Sequence, residues 1–256
     1  VEKVTDLMWV FDQETERIVQ RTTTYVPGLY KIFDEILVNA ADNKQRCAAM
    51  SKMEIAIDQA EGSISVLNDG DGIPVEMHSK EKCYVPELIF GHLLTGSNYN
   101  DDEAKTTGGR NGYGAKLANI FSTEFTVETV CKGKKFKQTF SDNMTKKTKG
   151  KVTTAEGKKD YTKITFKPDW ARFKLEGMDD DHMALFTKRA YDMAGVSDRS
   201  MSVKFNGAKI AVKDFKDYTT KYKSAAQRVD AETGQPVPEK IVHYNDGRWE
   251  IGIGQS

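Results

Sequence analysis

Between residues 29 and 50, apolar positions recur every three or four residues: Leu29, Ile32, Phe33, Ile36, Leu37 and Ala40. That spacing predicts an amphipathic helix with one buried stripe. Pro27 and Gly28 break the chain just ahead of it. Ile64 to Leu67 reads as a strand, with a glycine-rich turn, Asn68 to Pro74, behind it. Ala115, Lys116, Leu117, Ala118, Ile120 and Phe121 read as a second helix, and Phe125–Val130 and Lys163–Phe166 as strands. A helix is expected over Met183–Ala194, with Asp179, Asp180 and Asp181 at its start, where acids suit the helix dipole and need no metal. Strands follow near 201–213, at Ile241–Tyr244 and at Trp249–Ile253, after a turn-rich linker over Ala231–Pro238. The expected order is strand, long helix, two strands, loop, helices, glycine loop, helix, strand meander, helix, strands. Helices and strands in that order predict an α+β or mixed α/β layer structure. No internal repeat is visible.

The polar edge of the first helix changes the picture. Glu35, Asn39, Asp42 and Asn43 recur at about one turn and share one edge. Such an edge can simply face water. It also suits metal-assisted hydrolysis: Glu35 can orient and deprotonate a water, and Asn39 can offer Mg²⁺ a neutral oxygen. Gly109, Gly112 and Gly114 place three glycines in six residues. That density suits a structural turn or a backbone cradle for phosphate, with the following helix N-terminus facing the anion. Lys116 can then reach a terminal phosphate oxygen. The loop is not a P-loop, because Ala115 precedes the lysine and Leu117 follows it; Leu117 also breaks a dinucleotide fingerprint. Thr95, Gly96, Ser97 and Asn98 add small and hydroxyl side chains. The turn at 69–74 is no EF-hand loop, since Ile73 stands where an oxygen ligand is required. Asp69 can accept the amino proton of adenine, over an apolar floor of Gly72 and Ile73.

At 256 residues the chain can bury a sizeable core. Its 38 basic and 38 acidic residues cancel, so no global field selects a polyanion. No apolar run approaches membrane-spanning length and no signal-peptide pattern opens the chain. Cys47, Cys83 and Cys131 lie far apart and read as reduced thiols. His78, His92, His182 and His243 lack metal-ligand spacing. Twelve lysines fall between Lys132 and Lys167. The segment Asn143–Lys159 reads as a mobile basic hairpin or loop, either solvated or lining the path of a duplex through phosphate contacts.

These segments resemble the Bergerat-fold ATPases, which include DNA gyrase, sensor histidine kinases and the MutL proteins. Glu35, Asn39 and Asn43 match the first box of that superfamily, Asp69 to Gly72 the second, and Gly109, Gly112 and Gly114 the third. The runs Tyr25–Asn43, Tyr84–Tyr99 and Thr107–Ser122 resemble eukaryotic type II DNA topoisomerases closely. The likeness continues through Trp9, Tyr161–Phe166, Arg189–Ala194 and Arg248–Glu250.

The resemblance implies a two-layer α/β sandwich, a mixed and mainly antiparallel sheet covered by helices on one face. It implies ATP and Mg²⁺ as cofactors, with Glu35 as general base, Asn39 as magnesium ligand and Asn43 beside the nucleotide. Asp69 would read adenine, and Thr162 would help fix the base through water. Thr95, Ser97 and Asn98 would contact ribose and phosphate; Gly96 replaces a serine common in relatives, removing one side-chain contact. Arg110, Asn111, Gly112, Tyr113, Gly114, Ala115 and Lys116 would form the phosphate lid, Lys116 also acting in catalysis. Residues 1–215 would form the ATP-binding domain, and 216–256 a linker and the first strands of a truncated transducer domain. The resemblance further implies a homodimeric, nuclear parent enzyme acting on double-stranded DNA, an organellar location staying open. This chain would be its nucleotide-binding lobe: slow in hydrolysis without the transducer lysine, monomeric or weakly dimeric, and unable to cut DNA. The alternatives are a Bergerat-fold chaperone or mismatch-repair clamp, and a histidine kinase. The long topoisomerase-like runs speak against the clamp. A kinase needs a phosphoacceptor helical domain, which the sequence does not display.

Overall fold

A computed structural model describes residues 2–92, 113–222, 232, 235 and 241–254. An antiparallel hairpin, β1 (Val4–Asp12) and β2 (Arg17–Tyr25), leads into α1 (Pro27–Arg46). Then come β3 (Lys52–Asp58), β4 (Ser63–Asp69), α2 (Val85–Gly91), α3 (Gly114–Ile120), β5 (Ser122–Cys131) and β6 (Lys134–Ser141). The short β7 (Lys146–Lys147) and β8 (Lys151–Thr154) precede β9 (Tyr161–Pro168), α4 (Asp180–Val196), β10 (Ser202–Phe205), β11 (Ala208–Lys209) and α5 (Phe215–Thr219). A last hairpin joins β12 (Ile241–Asn245) to β13 (Glu250–Gly254).

Nine strands form one sheet in the order β11-β10-β3-β4-β9-β5-β6-β7, with β8 also on β6. Only β10 and β3 run parallel among the described pairs. Alternation of buried and less buried positions in β3, β4 and β9 sorts their side chains onto two faces. In β4, Ile64, Val66 and Asn68 are buried on the inner face, while Ser63, Ser65, Leu67 and Asp69 point the other way. The helices cover the inner face. The α1 stripe of Leu29, Phe33, Ile36 and Leu37 joins Ile55, Val66, Phe125, Val127, Ile164 and Phe166 from the sheet in one core. Each such side chain contributes about 1.5–3 kcal/mol by leaving water. Phe33 stacks on Phe186 of α4, ring centres 4.2 Å apart. The α+β sandwich with its mainly antiparallel sheet is as the sequence predicts.

Three details differ. The expected single N-terminal strand is a hairpin, and Phe11 and Ile18 from its two strands pack with Tyr218 in a small core of their own. The first helix stops at Arg46 rather than running to Met50. There the Lys44 ammonium donates to the carbonyls of Ala48 and Met50 and folds the chain back under the helix end, which buries Met50. The basic segment 143–159 contributes β7 and β8 to the sheet edge instead of forming a free loop.

Candidate nucleotide site

The α1 helix begins with proline in its first turn, where no backbone N–H is missed, and ends with Lys44 and Arg46, whose charges favour a helix C-terminus. It therefore presents Glu35, Asn39 and Asn43 in fixed order along one edge. Glu35 lies beside the start of α3: a β-carbon on Gly114 would fall 1.7 Å from its Oε2. Glycine at 114 is thus a matter of space for the carboxylate. The other oxygen, Oε1, accepts from the Lys31 ammonium at 2.7 Å. That hydrogen bond raises the Lys31 pKa above its ordinary value. Asn39, one turn on, is half-buried and makes no side-chain hydrogen bond among the described residues. Its uncommitted oxygen suits a hard cation that keeps water and phosphate oxygens as its other ligands. Asn43 spends its carboxamide on structure, with Nδ2 3.4 Å from the Asp69 carbonyl.

In α3, Ala115, Lys116, Ala118 and Asn119 are buried, and Tyr113 stands exposed at its start. Burial pushes the Lys116 ammonium pKa down. Asn119 Nδ2 donates to the Phe90 carbonyl at 3.0 Å and so ties α3 to α2.

The end of β4 corrects the reading of Asp69. Its Oδ1 accepts the N–H groups of Ser51 and Lys52 at 2.8 and 2.7 Å, and its Oδ2 accepts the Ser51 hydroxyl at 2.7 Å. Burial alone would raise its pKa, but these three donors outweigh it and hold the carboxyl below the usual range. Asp69 therefore staples the start of β3 from the outer face and is not aimed at a base. The polar side chain on the inner face at this point is Asn68. In a strand, an offset of one residue exchanges faces.

Asn68 pairs across the sheet with Thr162 of β9, and Thr162 with Thr129 of β5. The three form a polar row at the end of the apolar inner face. Thr129, fully buried, escaped the sequence reading. Its hydroxyl donates to the Tyr161 carbonyl at 2.8 Å, accepts from the Ile73 N–H at 3.0 Å and lies 3.1 Å from the Thr162 hydroxyl. Gly72 runs so close to β5 that a β-carbon there would meet the Val130 carbonyl oxygen at 1.8 Å. Gly72 and Ile73 thus lie against this row. Thr95, Ser97, Asn98, Arg110, Asn111 and Gly112 fall outside the described residues.

A carboxylate on a long helix, a glycine-started helix against it and a polar row across the central strands of the sheet's inner face are the arrangement of a class of ATPase. The chain belongs to the family described as histidine kinase-, DNA gyrase B- and HSP90-like ATPases, whose pattern matches residues 24–172. Within that family it is similar along its whole length to DNA topoisomerase 2 of Penicillium chrysogenum, at 54% identity, and of Arabidopsis thaliana, at 52%. It spans 16% and 17% of those two proteins. The crystal structure of the ATPase region of Saccharomyces cerevisiae topoisomerase II superimposes with a TM-score of 0.83 at 49% identity, over 86% of this chain and 58% of that one. The 43K ATPase domain of Thermus thermophilus gyrase B, at 21% identity and a TM-score of 0.60 over 90% of this chain and 57% of that one, shares the fold. The likeness to eukaryotic type II topoisomerases noted in the sequence is thereby borne out.

Proposed function

We propose that this chain is the ATP-binding and ATP-hydrolysing lobe of a type II DNA topoisomerase, in which nucleotide binding closes a dimeric gate on a DNA duplex and hydrolysis resets it. The observation that carries the reading is Glu35 seated against Gly114, one helical turn from Asn39. Glu35, oriented by Lys31, holds the attacking water and takes its proton, a role worth about 10²–10⁴ in rate. Asn39 would hold Mg²⁺, which would supply charge neutralisation to the phosphate groups. The backbone from Gly112 to Lys116 receives the phosphates, with Arg110, Asn111 and Tyr113, and Thr95, Ser97 and Asn98 contact ribose and phosphate. The base sits over Gly72 and Ile73 and is read by Asn68, in place of Asp69, together with Thr162.

Duplex DNA, a second copy of the chain and a nuclear location belong to the same proposal, supported by the whole-length similarity to eukaryotic relatives. The sequence suggests a boundary between 215 and 216; because Tyr218 packs with Phe11 and Ile18, we carry the ATP-binding domain on through α5 (Phe215–Thr219) and assign the residues after it to a further domain.

Calorimetry of a nonhydrolysable ATP analogue with Mg²⁺, on the wild type and on Asn39→Ala, tests the site. Micromolar binding that collapses in the variant is the expected result. Equal binding by both would remove Asn39 as metal ligand, and no binding by the wild type would overturn the site as drawn.

A further inference from the structure

We propose that the fully buried Thr129 sets the hydrogen-bond polarity of the base pocket and thereby its preference for a 6-amino over a 6-oxo purine. The inference rests on the placement of the base against Asn68 and Thr162.

A threonine hydroxyl has one proton and two lone pairs. At Thr129 the proton goes to the Tyr161 carbonyl, which can only accept. One lone pair takes the Ile73 N–H, which can only donate. The contact to Thr162 must use the second lone pair, so Thr162 is the donor in that pair. The Thr162 proton is thereby turned away from the pocket, and Thr162 Oγ1 offers only an acceptor there. Asn68 leans the same way: one of its two Nδ2 protons goes to the Asp69 carbonyl at 3.0 Å, which fixes the amide plane and turns Oδ1, the acceptor, to the opposite side. The two side chains at the pocket end thus present oxygen lone pairs. A 6-amino group supplies the matching proton, whereas a 6-oxo group opposes lone pair to lone pair. Sites that pair a substrate N–H with buried polar groups reject the mismatched analogue strongly.

Thr129 is fully buried and joins three segments, the turn after β4, β5 and β9. It is a positioning residue, and a merely structural role would weaken all nucleotides alike. The discriminating readout is therefore the change, from wild type to variant, in the ratio of affinities for the nonhydrolysable imido analogues of ATP and ITP, which differ at position 6 and in a proton on N1 that is the same in every comparison. In Thr129→Val the Thr162 proton is free to turn into the pocket and serve the 6-oxo group. The ATP-to-ITP ratio should shrink about tenfold, the scale of one hydrogen bond, while Thr129→Ser keeps the wild-type ratio. Should the valine variant not fold, Thr129→Cys, whose thiol is a weak acceptor, carries the same test. An unchanged ratio in the valine or cysteine variant, or a loss of discrimination in the serine variant, would overturn the role of Thr129 while leaving the nucleotide site standing. Failure of the wild type to bind the ATP analogue would overturn the site and this inference together.

Discussion

Gly114 and Glu35 compete for one space: a β-carbon on the first would fall 1.7 Å from Oε2 of the second. Gly114→Ala must therefore displace either the carboxylate or the start of α3. Turnover is expected to fall about 100-fold or more, as in Glu35→Gln, because both changes remove a positioned base. Steady-state ATP hydrolysis and analogue binding, measured on both variants, check this. Glu35→Gln should retain binding, and an alanine variant with wild-type turnover would refute the steric link.

Asn68 and Asp69 are adjacent in sequence and opposite in role. Asn68→Ala should cost affinity for adenine nucleotides with little change in melting temperature. Asp69→Asn should do the reverse, since it weakens the acceptor of three donors at the β3 start. The folded pKa of Asp69 is depressed, so its contribution is complete above the unfolded carboxyl value near 3.8 and is lost as pH falls through the lower folded value. The stability gap between wild type and Asp69→Asn should stay constant at neutral pH and close below about pH 4. Urea titrations across that range would show it.

That pair also marks how far the sequence could be read. The α1 stripe and its polar edge were legible because period and chemistry agree over several turns. The β4 turn was recognisable by its glycines, yet its reading fell on Asp69, whose side chain faces outward. An acidic side chain advertises chemistry; its neighbour Asn68 does not, and only the pleat decides between them. Thr129 carried no signal at all. Its role depends on Ile73, Tyr161 and Thr162 converging from distant segments, which only the sheet order reveals. The β1–β2 hairpin read as a single strand.

His182 offers a test of the scaffold. Its buried Nε2 accepts the N–H of Val26, the residue capping α1, at 2.9 Å, and its Nδ1 pairs with Asp179 at 2.6 Å. His182→Ala leaves that N–H unpaired beside a cavity and should destabilise the fold by about 2–4 kcal/mol. Denaturant unfolding measures it, and a loss below about 0.5 kcal/mol would show that the joint is not needed.

The basic sheet edge makes a separate claim about DNA. Lys146 and Lys147 are already paired with Asp142 and Glu87, each at 2.7 Å, while Lys149 and Lys151 are exposed. Reversing all four charges should weaken duplex binding and flatten its dependence on salt, with Lys149 and Lys151 carrying most of the effect. Fluorescence anisotropy on a short duplex at several salt concentrations would read both. Unchanged binding would assign these lysines to solvation alone.

The row Asn68–Thr162–Thr129 crosses β4, β9 and β5, strands that are neighbours in the sheet but far apart along the chain. Such a row can exist only after long loops have closed, so the base contact proposed for it is expected to arrive late in folding. Partly folded chains should then gain nothing from nucleotide. Ligand added to the folded protein should raise the free energy of global unfolding by the full mass-action amount. Hydrogen exchange is expected to slow in step across β4, β5 and β9, which pair side by side in the sheet.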